Sequence, residues 1–149
     1  MPLYVAPNAG FCMGVKNAVT KAREIASACR DEGLTCFSLG ELIHNPFVVE
    51  KLSESGLGVA ESIDEARGSV LIIRSHGVSQ KVLKEAEEKA KTVHDLTCPF
   101  VKRLHDVVKA YSEEKKPIII IGDSLHPEII GTAGWCEGEV YIINSKEEV

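Results

Sequence analysis

The sequence predicts an α/β protein built on largely parallel sheet, and three observations lead there. Short β-rich runs alternate with amphipathic segments along the whole chain. Several of those runs, such as 69–74 (SVLIIR) and 117–121 (PIIII), are almost unbroken apolar stretches, the pattern of strands covered on both faces. With 149 residues, 44% of them apolar and 26% charged, the chain is an ordinary globule with enough length for a true core.

The expected strands are 3–6, 35–39, 57–60, 69–74, 92–96, 117–121 and 139–143. Between them, apolar residues recur at helical spacing. Val15, Ala18, Val19, Ala22, Ile25 and Ala26 form one stripe, Val78, Val82, Leu83 and Ala86 a second, and Val101, Leu104, Val107, Val108 and Tyr111 a third. Further helices are expected to start at Pro46 and Pro127. The charged patch Glu113–Lys116 reads as a solvated helix end before Pro117.

Charge and composition exclude several function classes. Seventeen basic against 22 acidic residues give a net charge of −5, which argues against a duplex nucleic-acid binder but leaves room for a small anion held by local donors. No apolar run approaches the ~18 residues a membrane helix needs, and residues 1–5 lack the basic-then-apolar pattern of a secretory signal. A cytoplasmic protein without membrane contact is expected. The five cysteines (Cys12, Cys29, Cys36, Cys98 and Cys136) are odd in number and widely spaced, so they read as core packing or ligands rather than a disulfide framework.

The chain echoes itself. Gly40–His44 matches Gly122–His126 at an offset of 82 (126 − 44), with Pro46 and Pro127 following. Ser62–Glu65 matches Ser145–Glu148 at 83 (145 − 62), each reading as a capping box after a strand. Cys12 and Cys98 stand 86 apart (98 − 12), each expected between a strand and a helix. A duplicated α/β unit follows, with residues 1–96 as the first unit and 97–149 as a second that stops just past its capping box.

In open parallel sheets, ligands bind beyond the carboxyl ends of the strands. Cys12, His44, His76, Cys98, His126 and Glu128 are all expected in such loops, converging on one face. A thiol at a helix N-terminus meets unpaired N–H groups that favour thiolate. Cys12 lies between Gly10 and Gly14, and Pro99 makes Cys98 a helix cap. Imidazoles beside helix N-termini suit a phosphate or diphosphate. Glu128 reads as a favourable first-turn acid or as a proton donor. His94, His105, Cys29 and Cys36 read as structural, and Cys136 as a loop thiol without an assigned role. No spacing here distinguishes zinc from iron.

The runs GFCMGV, IHNPFVVEKL, RSHGVSQ, LTCP and HPEIIGT, in this order and spacing, resemble the IspH (LytB) family of 4-hydroxy-3-methylbut-2-enyl diphosphate reductases. The resemblance covers essentially the whole chain, as the N-terminal half of such an enzyme. It implies three pseudo-symmetric α/β units around a central 4Fe–4S cluster, of which two are expected here. It implies Cys12 and Cys98 as cluster ligands and His44, His76 and His126 as diphosphate- and substrate-binding residues. Glu128 becomes the proton-delivering glutamate. The third cluster cysteine and further substrate contacts are expected beyond Val149, which would leave this fragment inactive alone. One iron would have no protein ligand and would be open to an allylic diphosphate substrate, with a ferredoxin or flavodoxin as electron donor. Two other readings use the same residues: a metal-dependent phosphate-ester hydrolase, and a non-catalytic anion-binding α/β module.

Overall fold

The computed structural model describes residues 2–6 and 9–148. Four parallel strands form one sheet: β1 (Cys36–Leu39), β2 (Leu57–Ala60), β3 (Val70–Ile73) and β4 (Thr92–Asp95), in the order β2-β1-β3-β4. β5 (Ile118–Ile121) and β6 (Val140–Ile143) pair as a second parallel sheet. Five α-helices connect them among the described residues: α1 (Met13–Asp31), α2 (Pro46–Glu54), α3 (Gln80–Lys89), α4 (Pro99–Glu113) and α5 (Pro127–Ala133). The α/β class and parallel pairing read from the sequence hold.

The central strand shows why its sequence is so apolar. All four residues of β3 are buried, because both faces of the sheet are covered. Val70 and Ile72 pack with Ala22, Ala26, Leu52 and Leu57 on one side. Leu71 and Ile73 pack with Ala60, Ile63, Ala66 and Ala86 on the other. Each fully buried branched side chain here contributes about 1.5–3 kcal/mol. Cys29 and Cys36 lie in the first of these clusters, 6% and 3% exposed, as core residues.

Helix starts follow their capping chemistry. Asn45 Oδ1 accepts from the Val48 amide at 3.3 Å ahead of Pro46, and Ser79 Oγ accepts from the Val82 amide at 3.2 Å. No helix is long and apolar enough to cross a membrane among the described residues.

Three expectations are corrected. Residues 3–6 form no strand: Leu3 and Tyr4 are each 88% exposed, and no described strand offers them a ladder. Strand propensity does not act without a partner edge. Cys12 therefore follows an irregular segment. The Ser62–Glu65 box does exchange side-chain bonds, with the Glu61 amide donating to Glu65 Oε2 at 3.0 Å, but it organises a run of turns rather than a helix. Its counterpart makes the same bond, from the Asn144 amide to Glu148 Oε2 at 2.7 Å, and opens one 3-10 turn (Lys146–Glu148). Finally, the second sheet is covered on one face only: Ile119, Ile121 and Tyr141 stay exposed.

Candidate functional site

The loops at the carboxyl ends of β1, β3, β4 and β5 carry His44, His76, Cys98 and His126 with Glu128, while Cys12 opens α1 outside any strand loop, and hydrogen bonds tie three of the loops together. Ser75, buried just after β3, accepts at its carbonyl from the Cys98 amide at 3.0 Å. Its hydroxyl donates to the carbonyl of Leu42 at 3.3 Å, two residues before His44. The loops bearing His44, His76 and Cys98 thus share one buried serine.

Cys12 caps α1 and Cys98 caps α4, and neither makes a side-chain cap hydrogen bond. Both are free thiols. The Cys98 sulfur lies against the first turn of α1: a Cβ on Gly14 would fall 2.6 Å from it. Gly14 is two residues past Cys12, so the two cysteines, far apart in sequence, reach one neighbourhood. No acidic residue sits in the first turn of α1, α2 or α4, which leaves their partial positive ends uncompensated.

The imidazoles stand in a row. Ring centroids are 5.0 Å apart for His44 and His76 and 6.0 Å for His76 and His126. His126 caps α5, its Nδ1 accepting from the Glu128 amide at 3.2 Å. In neutral His126 that bond puts the ring proton on Nε2, available to an anion. His44 is exposed, with Nδ1 4.0 Å from Glu41. His76 Nδ1 is buried without a partner. Burial, reinforced by the neighbouring His44, Arg74 and His126, pushes the His76 imidazole down to about 4. Arg74 lies beside it, its guanidinium against Gly40, whose φ of +69° suits a residue without a side chain.

This shift sets a pH dependence. The unfolded chain binds a proton at His76 near its ordinary value of 6.5, whereas the folded chain does so only near 4. The unfolded state therefore takes up more protons in that window, and stability falls as pH drops from about 6.5 to about 4. Urea midpoints measured across that range should decline with acidification, and His76→Asn should flatten the decline. An equal slope in the variant would rule His76 out as its cause.

Not every candidate joins the group. His94 lies in β4, and His105 is buried in α4. Cys136 is half-buried, its sulfur 3.5 Å from Ser112 Oγ. Among the described residues no three His, Cys, Asp or Glu side chains are grouped to hold a metal ion by themselves. Sequence reasoning missed Ser75 and Arg74 as members of the site, and took Gly14 only as a flank of Cys12 rather than as the seat of the Cys98 sulfur. Arg74 and Ser75 stand in the RSHG run beside His76, a signal that could have drawn attention to them.

Fold and site together define an α/β protein whose parallel-strand loops carry a row of three imidazoles and one thiol, with a second thiol at the start of α1. The LytB protein family matches residues 3–149, and the chain belongs to that family. It is similar to proteins named 4-hydroxy-3-methylbut-2-enyl diphosphate reductase. One from Caldanaerobacter subterraneus subsp. tengcongensis is 45% identical over 151 residues, covering 99% of this chain and 52% of the relative. One from Clostridioides difficile is 44% identical over 150 residues, covering 100% and 53%. A solved structure of (E)-4-hydroxy-3-methyl-but-2-enyl diphosphate reductase, described as the terminal enzyme of the non-mevalonate pathway, superposes with a TM-score of 0.83 at 34% identity, covering 97% of this chain and 52% of that one. The reductase from Plasmodium falciparum gives 0.87 at 28%, covering 95% and 44%. The chain spans about half the length of the curated relatives it matches.

Proposed function

We propose that this chain forms the substrate- and cluster-binding half of a 4-hydroxy-3-methylbut-2-enyl diphosphate reductase. The observation that carries the reading is the packing of the Cys98 sulfur onto the first turn of α1, two residues from Cys12. Both thiols stand at helix N-caps without a side-chain cap hydrogen bond, which leaves their sulfurs open to iron. They fit two of the three ligands of a 4Fe–4S cluster, and the third comes, on this reading, from outside residues 1–149. Bound there, such a cluster would supply electrons and Lewis acidity at an iron without a cysteine ligand.

The chain's own residues do the rest. His126 presents Nε2–H, His44 stands exposed 4.0 Å from Glu41, and the first turns of α1 and α4, which no side chain caps, add backbone N–H groups, so a diphosphate finds donors on several sides. His76, held neutral by burial, keeps a buried Nδ1 without a partner in the middle of the row, a group a ligand can engage. Glu128, in the first turn of α5 two residues past His126, is on this reading the group that delivers a proton to the departing oxygen. The overall change takes up two electrons and two protons, breaks the allylic carbon–oxygen bond and releases water. A ferredoxin or flavodoxin is the electron donor.

Anaerobic reconstitution with iron and sulfide, in a protein that also supplies the second half, tests the reading. A broad visible band from thiolate-bound iron should develop, and Cys12→Ser or Cys98→Ser should abolish it. Retention of the band in both variants would sink the assignment. Stoichiometric zinc without the band would point instead to hydrolysis.

A further inference from the structure

The loop that carries His76 is held from behind by a ring that the proposed chemistry does not use. Gly77 has a φ of +71°, and a Cβ there would fall 2.7 Å from Cε1 of His105. His105 is 3% exposed and stacks on Trp135, the chain's one tryptophan, with centroids 5.1 Å apart and planes 18° apart. Trp135 Nε1–H in turn donates to the carbonyl of Val78 at 2.9 Å. Residues 77 and 78 are therefore gripped at adjacent positions by a side chain of α4 and one from the loop after α5. Behind them His105, Trp135, Asp95 and Lys102 line a cavity of about 220 Å³. His105 Nε2 is buried without a hydrogen-bond partner, so the ring is held by packing rather than by a polar contact at that nitrogen.

The consequence runs further along the loop. The Ser75 carbonyl accepts from the Cys98 amide, so anything that fixes residues 75–78 also fixes the cap of α4. Gly131 packs on the same stretch, its absent Cβ 3.5 Å from the Gly77 carbonyl oxygen, which brings α5 and its His126 cap against it. We infer that His105 is a positioning residue. Stacked on Trp135, it sets the loop 75–78 and through it the places of His76 and Cys98. The inference rests on the reading above, in which His76 holds diphosphate and Cys98 holds iron.

Amide hydrogen exchange on the folded protein, paired with calorimetric titration of inorganic diphosphate, tests it. In His105→Ala, exchange at the Gly77 and Cys98 amides should rise by about tenfold or more while Leu71 and Ile72 in β3 keep their protection, because only a local unit is loosened. The dissociation constant for inorganic diphosphate should rise by about tenfold. Unchanged exchange at Gly77 and Cys98 overturns the inference. So does a uniform increase at every amide, which is what a merely structural role would give. If His105→Ala fails to fold, Trp135→Phe decides: it keeps a flat ring and removes the Nε1 donor, and it should raise exchange at Gly77 by a smaller factor. No change at Gly77 there overturns the inference equally. If the unaltered protein binds no diphosphate, the functional reading falls, while the exchange pattern still decides the role of His105.

Discussion

Gly14→Ala is expected to abolish iron–sulfur reconstitution while leaving α1 as helical as before. On propensity alone the change looks favourable, since alanine in a helix is worth about 1 kcal/mol over glycine. Packing reverses that expectation. The new Cβ would lie 2.6 Å from the Cys98 sulfur, well inside contact, so the Cys98 side chain or the first turn of α1 has to move. Either displacement separates the Cys98 thiol from the neighbourhood of Cys12. The visible band should fall to background after anaerobic reconstitution, while circular dichroism keeps its helical signal. A band of normal intensity in Gly14→Ala would mean that the contact does not bear on metal binding.

Glu128→Gln should bind diphosphate normally and reduce turnover by a factor of about 10²–10⁴, the usual contribution of a positioned proton donor. The two roles are separable here because His126 is oriented by the backbone amide of residue 128 rather than by its side chain. Glutamine keeps that amide and the length of the side chain and removes only the transferable proton. The measurement is turnover of the reconstituted protein bearing both halves, beside a diphosphate titration of the same sample. Near-normal turnover would remove Glu128 from the proton path. A matching loss of affinity would assign Glu128 to binding instead.

The strands were legible wherever the chain itself supplies both neighbours. Val70–Ile73 reads as a doubly covered strand and is one. Residues 3–6 carry an equally plausible strand pattern, yet no partner edge is described for them, and periodicity is blind to that difference. The boxes at Ser62 and Ser145 illustrate a subtler limit. Their side-chain exchange was readable from spacing, but whether a helix follows depends on the next residues finding a surface to cover. Cys12, Cys98 and the three histidines could be picked out because thiols and imidazoles at loop positions are rare and chemically loaded. Gly14 could not, since its meaning is the absence of an atom beside a residue 84 positions away (98 − 14). His105 reads as structural from its place on a helix face, and nothing in its spacing points to a glycine in another loop.

The bare first turns of α1, α2 and α4 have a consequence for what the molecule admits. Its acidic surplus is carried elsewhere, so a long polyanion is repelled over most of its length before any of it reaches those turns. A compact dianion escapes most of that repulsion and meets the partial positive charge of whichever turn it reaches. Size exclusion of this kind needs no gate or lid. It follows from where the carboxylates were left out.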